Sequence, residues 1–154
     1  MKFGLSRAKA HYPHNTTIMY APELVAPMKS ELAQAGFTEV ATPDAVDAII
    51  NQPGTTLVVL NSICGCAAAT MRPGVRQSLD HGTVPDRLAT AFAGVDTEAV
   101  ERARKFMLPY PPSSPCVALF KDGALVHMVE RVHIQGRTAE MIAEHLKQAY
   151  DEFC

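Results

Sequence analysis

The chain has 154 residues, of which 47% are hydrophobic, so it is long enough to bury one full core and too short for two domains of ordinary size. Its net charge of −2 and its scattered Lys and Arg residues argue against a nucleic-acid partner, and its apolar runs are too short to span a membrane. We therefore expect one cytoplasmic domain over residues 1–154, with residues 1–20 as an N-terminal extension that is at most partly ordered.

Helix and strand signals alternate along the first half of the chain. Pro27 lies inside an otherwise helical pattern, so it marks either a first turn or a kink. The Val- and Leu-rich run before Cys64 is apolar on both faces, which is typical of a central parallel strand. The predicted elements are a helix over residues 22–35 closed by Gly36, a strand over 37–41, a helix over 42–50 capped by Thr42, and a strand over 56–61.

The second half of the chain contains further helices and a hairpin. A helix follows the cysteines as far as about Leu79, and Arg72, Pro73 and Gly74 are expected to bend or interrupt it. The dipeptide Asp122-Gly123 is the turn signal of a β-hairpin. The other predicted elements are a strand over residues 88–93, a helix over 97–107 with Asp96 as N-cap, a stiff loop over 109–115, hairpin strands over 116–120 and 125–131, and an amphipathic helix over 138–153.

Two cysteines separated by one glycine lie where the central strand ends and a helix begins. Free backbone N–H groups and the positive end of the helix dipole favour a thiolate at such a position. Cys64 comes first and is closest to these groups, so we expect it to attack the sulfur of a substrate disulfide. Cys66 would then attack Cys64, with Gly65 giving the backbone the freedom to bring the two sulfurs together. This pattern predicts thiol–disulfide redox chemistry.

The order of the predicted elements is that of the thioredoxin fold. We expect an α/β protein in which helices flank a central mixed sheet, and a β-hairpin and a helix complete the chain. In that fold a cis-proline begins the strand that faces the cysteines, and Pro115 stands at this place. The Ser114–Pro115 bond is therefore expected to shape a backbone edge for the substrate, the alternative being an ordinary trans turn.

Several short segments form a set that covers nearly the whole chain. They are Cys64-Gly65-Cys66, Met71-Arg72-Pro73, Ala91-Phe92-Ala93-Gly94, Pro111-Pro112-Ser113-Ser114-Pro115, Lys121-Asp122-Gly123 and the terminal Cys154. Together they resemble the bacilliredoxin family, thioredoxin-like proteins with a Cys-Gly-Cys motif. The resemblance implies reduction of mixed disulfides between protein cysteines and the small thiol bacillithiol, with Cys64 and Cys66 as catalytic residues. Bacillithiol would be a co-substrate, with no further cofactor and no metal.

The resemblance also implies partners and a binding surface. The partners would be bacillithiolated proteins, the low-molecular-weight thiol itself and, indirectly, a flavin disulfide reductase system, and a homodimer stays open. Gly65, Ser114 and Pro115 would contact the substrate. A protein disulfide isomerase-like activity is the alternative that the resemblance carries. Cys116 departs from the family pattern, which has serine or another small residue after the proline.

Cys116 and Cys154 are candidate additional thiols. Cys116 could complete a three-thiolate metal or iron–sulfur site with Cys64 and Cys66, although a packed strand residue is the favoured interpretation. Cys154 ends the chain and is expected to be mobile, and either Cys154 or a second molecule of small thiol could resolve the Cys64 adduct in place of Cys66. An inert buried cysteine pair, or a thioredoxin-like module that binds without catalysis, is the remaining alternative.

The other polar residues give weaker signals. Arg72 is either the counter-charge of an anionic thiol or an ordinary helix-breaking position. Tyr110, Ser113 and Ser114 lie in the loop before Pro115 and could line the thiol groove. No histidine is predicted to be catalytic: His11 and His14 form a solvated pair, His127 and His133 lie by the hairpin, and His81 and His145 lie on exposed helix surface.

Overall fold

The computed structural model describes residues 20–154 as a five-stranded sheet with helices on both faces. Within this range no helix combines the length and the apolar character needed to cross a membrane. A π-helical turn, Ala67–Met71, leads directly into α3. The helices are α1 (Pro22–Ala33), α2 (Pro43–Ile50), α3 (Arg72–Ser78), α4 (Thr97–Phe106), α5 (Arg131–Ile134) and α6 (Ala139–Phe153). The strands are β1 (Thr38–Glu39), β2 (Thr55–Asn61), β3 (Arg87–Phe92), β4 (Cys116–Lys121) and β5 (Ala124–Val129).

The sheet is mixed and has the strand order β1-β3-β2-β4-β5. Strand β3 runs parallel to β1 and β2, whereas β4 runs antiparallel to β2 and to β5. Every residue of β2 is buried, because this strand has a neighbour on each side and helices over both faces. The predicted α/β architecture, with a central mixed sheet, a terminal hairpin and a closing helix, is confirmed.

Two apolar cores lie on opposite faces of the sheet, and the side chains of β2 alternate between them. Val58 and Leu60 point into the first core, which α2 and α4 cover. Leu57 and Val59 point into the second core, which α1, α3 and α6 cover. A side chain that leaves the sheet on one face is therefore separated from the other core by the full thickness of the sheet.

The cysteine-bearing helix is continuous, so the predicted interruption at Arg72, Pro73 and Gly74 is wrong. The irregularity is the π-helical turn Ala67–Met71, which precedes these residues. In a regular α-helix a proline ring collides with the carbonyl four residues earlier, and the proline has no N–H to donate. A single π turn ahead of Pro73 widens the helix, which removes the need for a break.

Most local signals are confirmed, and their exceptions have clear causes. Thr42 caps α2 through its side chain, and Asp122 and Gly123 form the hairpin turn with positive φ values of 52° and 83°. Asp96 occupies the N-cap position of α4, but its carboxylate accepts a hydrogen bond from the backbone N–H of Phe92 instead of capping the helix.

Several predicted boundaries shift when tertiary contacts are formed. The edge strand is only Thr38–Glu39 and not residues 37–41, because it pairs with β3 alone. Helix α1 ends at Ala33, and Pro27 lies inside it without ending it. The second hairpin strand ends at Val129, and the short helix α5, which no sequence signal predicted, follows it.

Gly74 is the contact point between α3 and α6. A Cβ atom at this position would lie 2.8 Å from Cβ of Ile142 and 2.9 Å from the backbone oxygen of Ala139. We expect Gly74→Ala to lower the free energy of unfolding by about 1–3 kcal/mol, because the overpacked helices must separate. Gly82→Ala is the matched control, since a Cβ at Gly82 meets nothing within 4 Å. Denaturant unfolding of both variants checks this, and equal stabilities would contradict the close approach.

Candidate active site

The two cysteines of the motif lie just beyond the carboxyl end of β2. Strand β2 ends at Asn61, and the helix starts at Gly65. The backbone oxygen of Cys64 accepts hydrogen bonds from the N–H groups of Ala67 (3.0 Å) and Ala68 (3.3 Å). Cys64 thus occupies the position that precedes the first helical turn, where backbone N–H groups lack partners within the helix.

Cys64 and Cys66 are joined by a disulfide bond, and their Cα atoms are 5.5 Å apart. The side chain of Cys66 packs against the core that α1, α3 and α6 cover. Cys64 instead lines a surface cavity. The two side chains are both partly buried and differ in what they contact, and the roles expected from their order stay a prediction.

A buried arginine holds the segment between β2 and the helix. Arg72 is only 2% exposed, and its Nη1 donates to Oδ1 of Asn61 (3.1 Å) and to the backbone oxygen of Ser62 (3.0 Å). Its Nε donates to Oε2 of Glu31 on α1 (2.7 Å). The Ser62 hydroxyl in turn accepts from the backbone N–H of Cys64 (3.2 Å). Arg72 therefore holds the backbone that leads to Cys64 in place. It does not break the helix and does not line the surface cavity.

The predicted substrate-binding residues differ in their exposure and in whether they line the Cys64 cavity. Gly65 is exposed, and a Cβ added to it would meet nothing within 4 Å. Ser114 lines the same cavity as Cys64, whereas Pro115 is buried and follows a cis peptide bond. Tyr110 is exposed and lies outside the cavity wall.

Cys116 is buried in the core on the opposite face from Cys66. It pairs with Leu60 across the sheet, and both side chains belong to the core beneath α2 and α4. The sheet therefore separates Cys116 from Cys66, and the alternative of a shared metal or iron–sulfur site is wrong. No group of three or more His, Cys, Asp or Glu side chains within residues 20–154 is placed to hold a metal ion. Cys116 is the packed strand residue that the favoured interpretation predicted.

Cys154 lies at the far end of the sheet from Cys64. Its thiol adjoins Thr55, Asp86 and Lys121, and Thr55 is the first residue of β2. At about 3.3 Å per residue, the seven-residue strand puts roughly 20 Å between its two ends. Cys154 therefore cannot resolve an adduct on Cys64 of the same chain, and that alternative is wrong.

Comparison with known proteins decides the family. The family model described as disulphide isomerase matches residues 20–154. A bacilliredoxin from Cytophaga hutchinsonii is 65% identical over 134 residues, covering 87% of this chain and 99% of the relative. A bacilliredoxin from Koribacter versatilis is 49% identical, covering 88% of this chain and 94% of the relative. The chain belongs to the bacilliredoxin family. It is a thiol–disulfide oxidoreductase.

Solved thioredoxins confirm the fold of this bacilliredoxin-family chain. A thioredoxin variant from Halobacterium salinarum superposes with a TM-score of 0.54 at 17% identity, covering 77% of this chain and 91% of that one. Mitochondrial thioredoxin 3 from Saccharomyces cerevisiae gives a TM-score of 0.51 at 16% identity, covering 80% and 98%. At such low identity these likenesses show the architecture alone, which is the predicted thioredoxin-like fold.

Four polar residues of the Cys64 cavity that come from α4 and α5 had no signal in the sequence. Thr97, Glu101 and Arg104 come from α4, and Arg131 comes from the start of α5. They lie more than 30 residues from Cys64 along the chain, and nothing in their local pattern distinguishes them from ordinary surface residues. Only the packing of α4 and α5 around the end of β2 brings them together.

Within residues 20–154, none of the four histidines lines the Cys64 cavity of this bacilliredoxin-family fold. His127 on β5 and His145 on α6 share a hydrogen bond between their Nε2 atoms (2.7 Å), and burial lowers the pKa of both. His145 is thus half-buried and not exposed as predicted. His81 contacts Asp151 (2.8 Å), and it lies half-buried in the loop after α3 and not on exposed helix surface as predicted. The predicted pair of His11 and His14 lies outside the described residues.

The buried thiol of Cys116 makes the stability of the protein sensitive to alkaline pH. Burial raises its pKa from the ordinary value of 9.0 to about 12. A raised folded-state pKa contributes stability that is complete below 9.0 and is lost as the pH rises towards about 12. We expect Cys116→Ala to flatten this part of the curve of unfolding free energy against pH, although it lowers stability overall.

Alkylation is a second test of the burial of Cys116. In the native protein Cys116 should resist iodoacetamide at about pH 8 and should react only after unfolding, because the thiolate is the reactive form. Mass spectrometry of the labelled peptides measures this. Ready labelling of Cys116 in folded protein would contradict its assignment as a packed residue.

Proposed function

We propose that this chain reduces mixed disulfides between protein cysteines and a low-molecular-weight thiol, and that bacillithiol is that thiol. The observation that carries the proposal is the arrangement of the two sulfurs, with Cys64 at a cavity and Cys66 packed behind it. Membership of the bacilliredoxin family supports the same reaction class. The cytoplasm, where small thiols keep cysteines reduced, is the compartment that we propose.

In the first step the Cys64 thiolate attacks the sulfur of the small thiol in the substrate disulfide. The bond between that sulfur and the substrate cysteine breaks as the new bond to Cys64 forms. The substrate cysteine leaves as a thiolate and takes up a proton from water. The small thiol is then bound to Cys64 as a mixed disulfide, and the protein substrate is reduced.

In the second step the Cys66 thiolate attacks Sγ of Cys64. The mixed disulfide breaks, the small thiol leaves as a thiolate, and the Cys64–Cys66 bond forms. The structure holds the chain in this oxidised product state. Two further molecules of small thiol reduce it by successive exchange and leave as their own disulfide, which a flavin disulfide reductase would return to the thiol.

The surface around the motif suits a protein substrate. Gly65 adds no side chain beside Cys64, and the space above it is open. Ser114 forms another part of the wall, and its backbone oxygen is 3.4 Å from Nη1 of Arg131. We infer that the substrate chain passes between Gly65 and the Ser114-Pro115 segment, so that its modified cysteine meets Cys64.

The roles of the two cysteines can be separated by substitution. We expect Cys64→Ser to abolish reduction of a bacillithiolated model protein, because the attacking thiolate is lost. Cys66→Ser should release the reduced substrate once and then retain the small thiol on Cys64. Intact-mass measurement detects that adduct, and Cys154→Ser is the matched control that keeps full turnover. If Cys66→Ser loses the first step while Cys64→Ser keeps it, the assignment is reversed.

Disulfide isomerisation is a second candidate, favoured by the description of the matching family model. That reaction rearranges disulfides through a single attacking thiolate and needs no net electron transfer. Refolding of a scrambled protein by Cys66→Ser, in the absence of small thiol exchange, would support it. Turnover that requires both cysteines and consumes small thiol supports the reductase instead.

A further inference from the structure

The cavity beside Cys64 contains polar groups that the proposed exchange steps do not use. Its volume is about 420 Å³, within the range of ligand sites in proteins. Cys64 and Ser114 form the part of the wall next to the reacting sulfur. Residues of α4, including Thr97 and Arg104, form another part, and Arg131 from α5 contributes a second guanidinium group.

Two buried polar atoms belong to residues that line this cavity. Oγ1 of Thr97 and Nε of Arg104 are shielded from solvent and have no hydrogen-bond partner within the described residues. Native proteins pair nearly all such atoms with protein groups, water or a ligand. Both atoms belong to side chains of one cavity wall, which makes this wall the candidate place for a bound polar ligand.

The charges of the cavity define the chemistry of that partner. Arg104 and Arg131 carry two positive charges, and Glu101 is the carboxylate that also lines the wall. Glu101 is exposed and free to turn towards solvent, whereas Arg104 is partly buried. Guanidinium groups bind carboxylates through paired, charge-assisted hydrogen bonds, and a threonine hydroxyl can add one more.

We propose that Arg104 and Thr97 bind a carboxylate of the small thiol while its sulfur is attached to Cys64. The inference rests on the proposed function, because the small thiol would lie in this cavity while its sulfur is bound to Cys64. The side chains of α4 would then make anionic thiols bind at Cys64 in preference to neutral ones. Arg72, which the sequence offered as the counter-charge, is engaged with Asn61, Ser62 and Glu31 instead.

The proposal is tested by competition between two thiols that differ only in charge. The probes are mercaptopropionic acid and its amide, offered together as disulfides to a chain in which Cys66→Ser and Cys154→Ser leave Cys64 as the exposed thiol. Mass spectrometry of the digested Cys64 peptide, after quenching at equilibrium, gives the ratio of acid to amide adducts on Cys64. We expect a preference for the acid of about tenfold, as charge-assisted hydrogen bonds provide.

Two variants of α4 provide the comparison. Arg104→Gln should bring the adduct ratio close to one, and Arg104→Lys should restore part of the preference. Arg102→Gln is the matched control, because Arg102 lies on the same helix but pairs with Asp47 outside the cavity. Arg102→Gln should therefore leave the ratio unchanged. An equal ratio in the parent chain and in Arg104→Gln overturns the inference.

The remaining outcomes separate this inference from the function on which it rests. If both adducts form without preference, the exchange reaction stands and the carboxylate site is wrong. If Cys64 forms neither adduct, the proposed function is wrong, and so is the inference that rests on it. The carboxylate bound in the cavity could also come from the protein substrate. A peptide tests this source when it carries a glutamate next to its cysteine and the neutral amide thiol as the group in its mixed disulfide. Faster, Arg104-dependent reduction of that peptide than of a neutral one would assign the cavity to the protein substrate and overturn the proposal.

Discussion

The hydrogen bonds of the Arg72 guanidinium connect the parts of the structure on which the site depends. They join α1, the end of β2 and the cysteine-bearing helix through Glu31, Asn61 and Ser62. A buried arginine cannot give up its charge, so its partners must stay in place. Asn61 also donates through Nδ2 to the backbone oxygen of Met28 (3.1 Å), which extends the network along α1. These hydrogen bonds therefore fix the segment that carries Cys64 from its buried side, while the Cys64 sulfur stays accessible.

The sheet divides the thiols of the chain into separate environments. Cys66 faces one core and Cys116 the other, and Cys154 lies at the opposite end of β2 from Cys64. The Cys64–Cys66 disulfide shows that Cys66 is within reach of Cys64, whereas the Cys116 side chain is completely buried. A buried neutral thiol packs like any small apolar side chain, and this is the role of Cys116 in its core. The topology supports the proposed two-cysteine mechanism in addition to the motif.

The sequence was sufficient for the features that local chemistry determines. The Asp122-Gly123 turn, the Thr42 cap and the apolar character of β2 each follow from a few neighbouring residues, and all three are present. The interruption expected at Pro73 is absent because a π-helical turn accommodates the ring, and sequence patterns do not report such turns. The Arg72 network and the cavity groups on α4 were beyond prediction, because they join residues far apart in the chain. The sequence around a single arginine that follows a helix start is the same whether the arginine side chain is buried or exposed.

The central claim is that the start of this helix makes Cys64 a reactive thiolate. The start of a helix favours a thiolate, whereas burial raises the pKa of the Cys154 thiol above its ordinary value. The most direct measurement is the iodoacetamide labelling rate of each cysteine against pH in the reduced protein, with Cys66→Ser to isolate Cys64. The account predicts a labelling midpoint for Cys64 that lies well below that of Cys154. Coincident midpoints for Cys64 and Cys154, or equal labelling of the two at about pH 6, would contradict it.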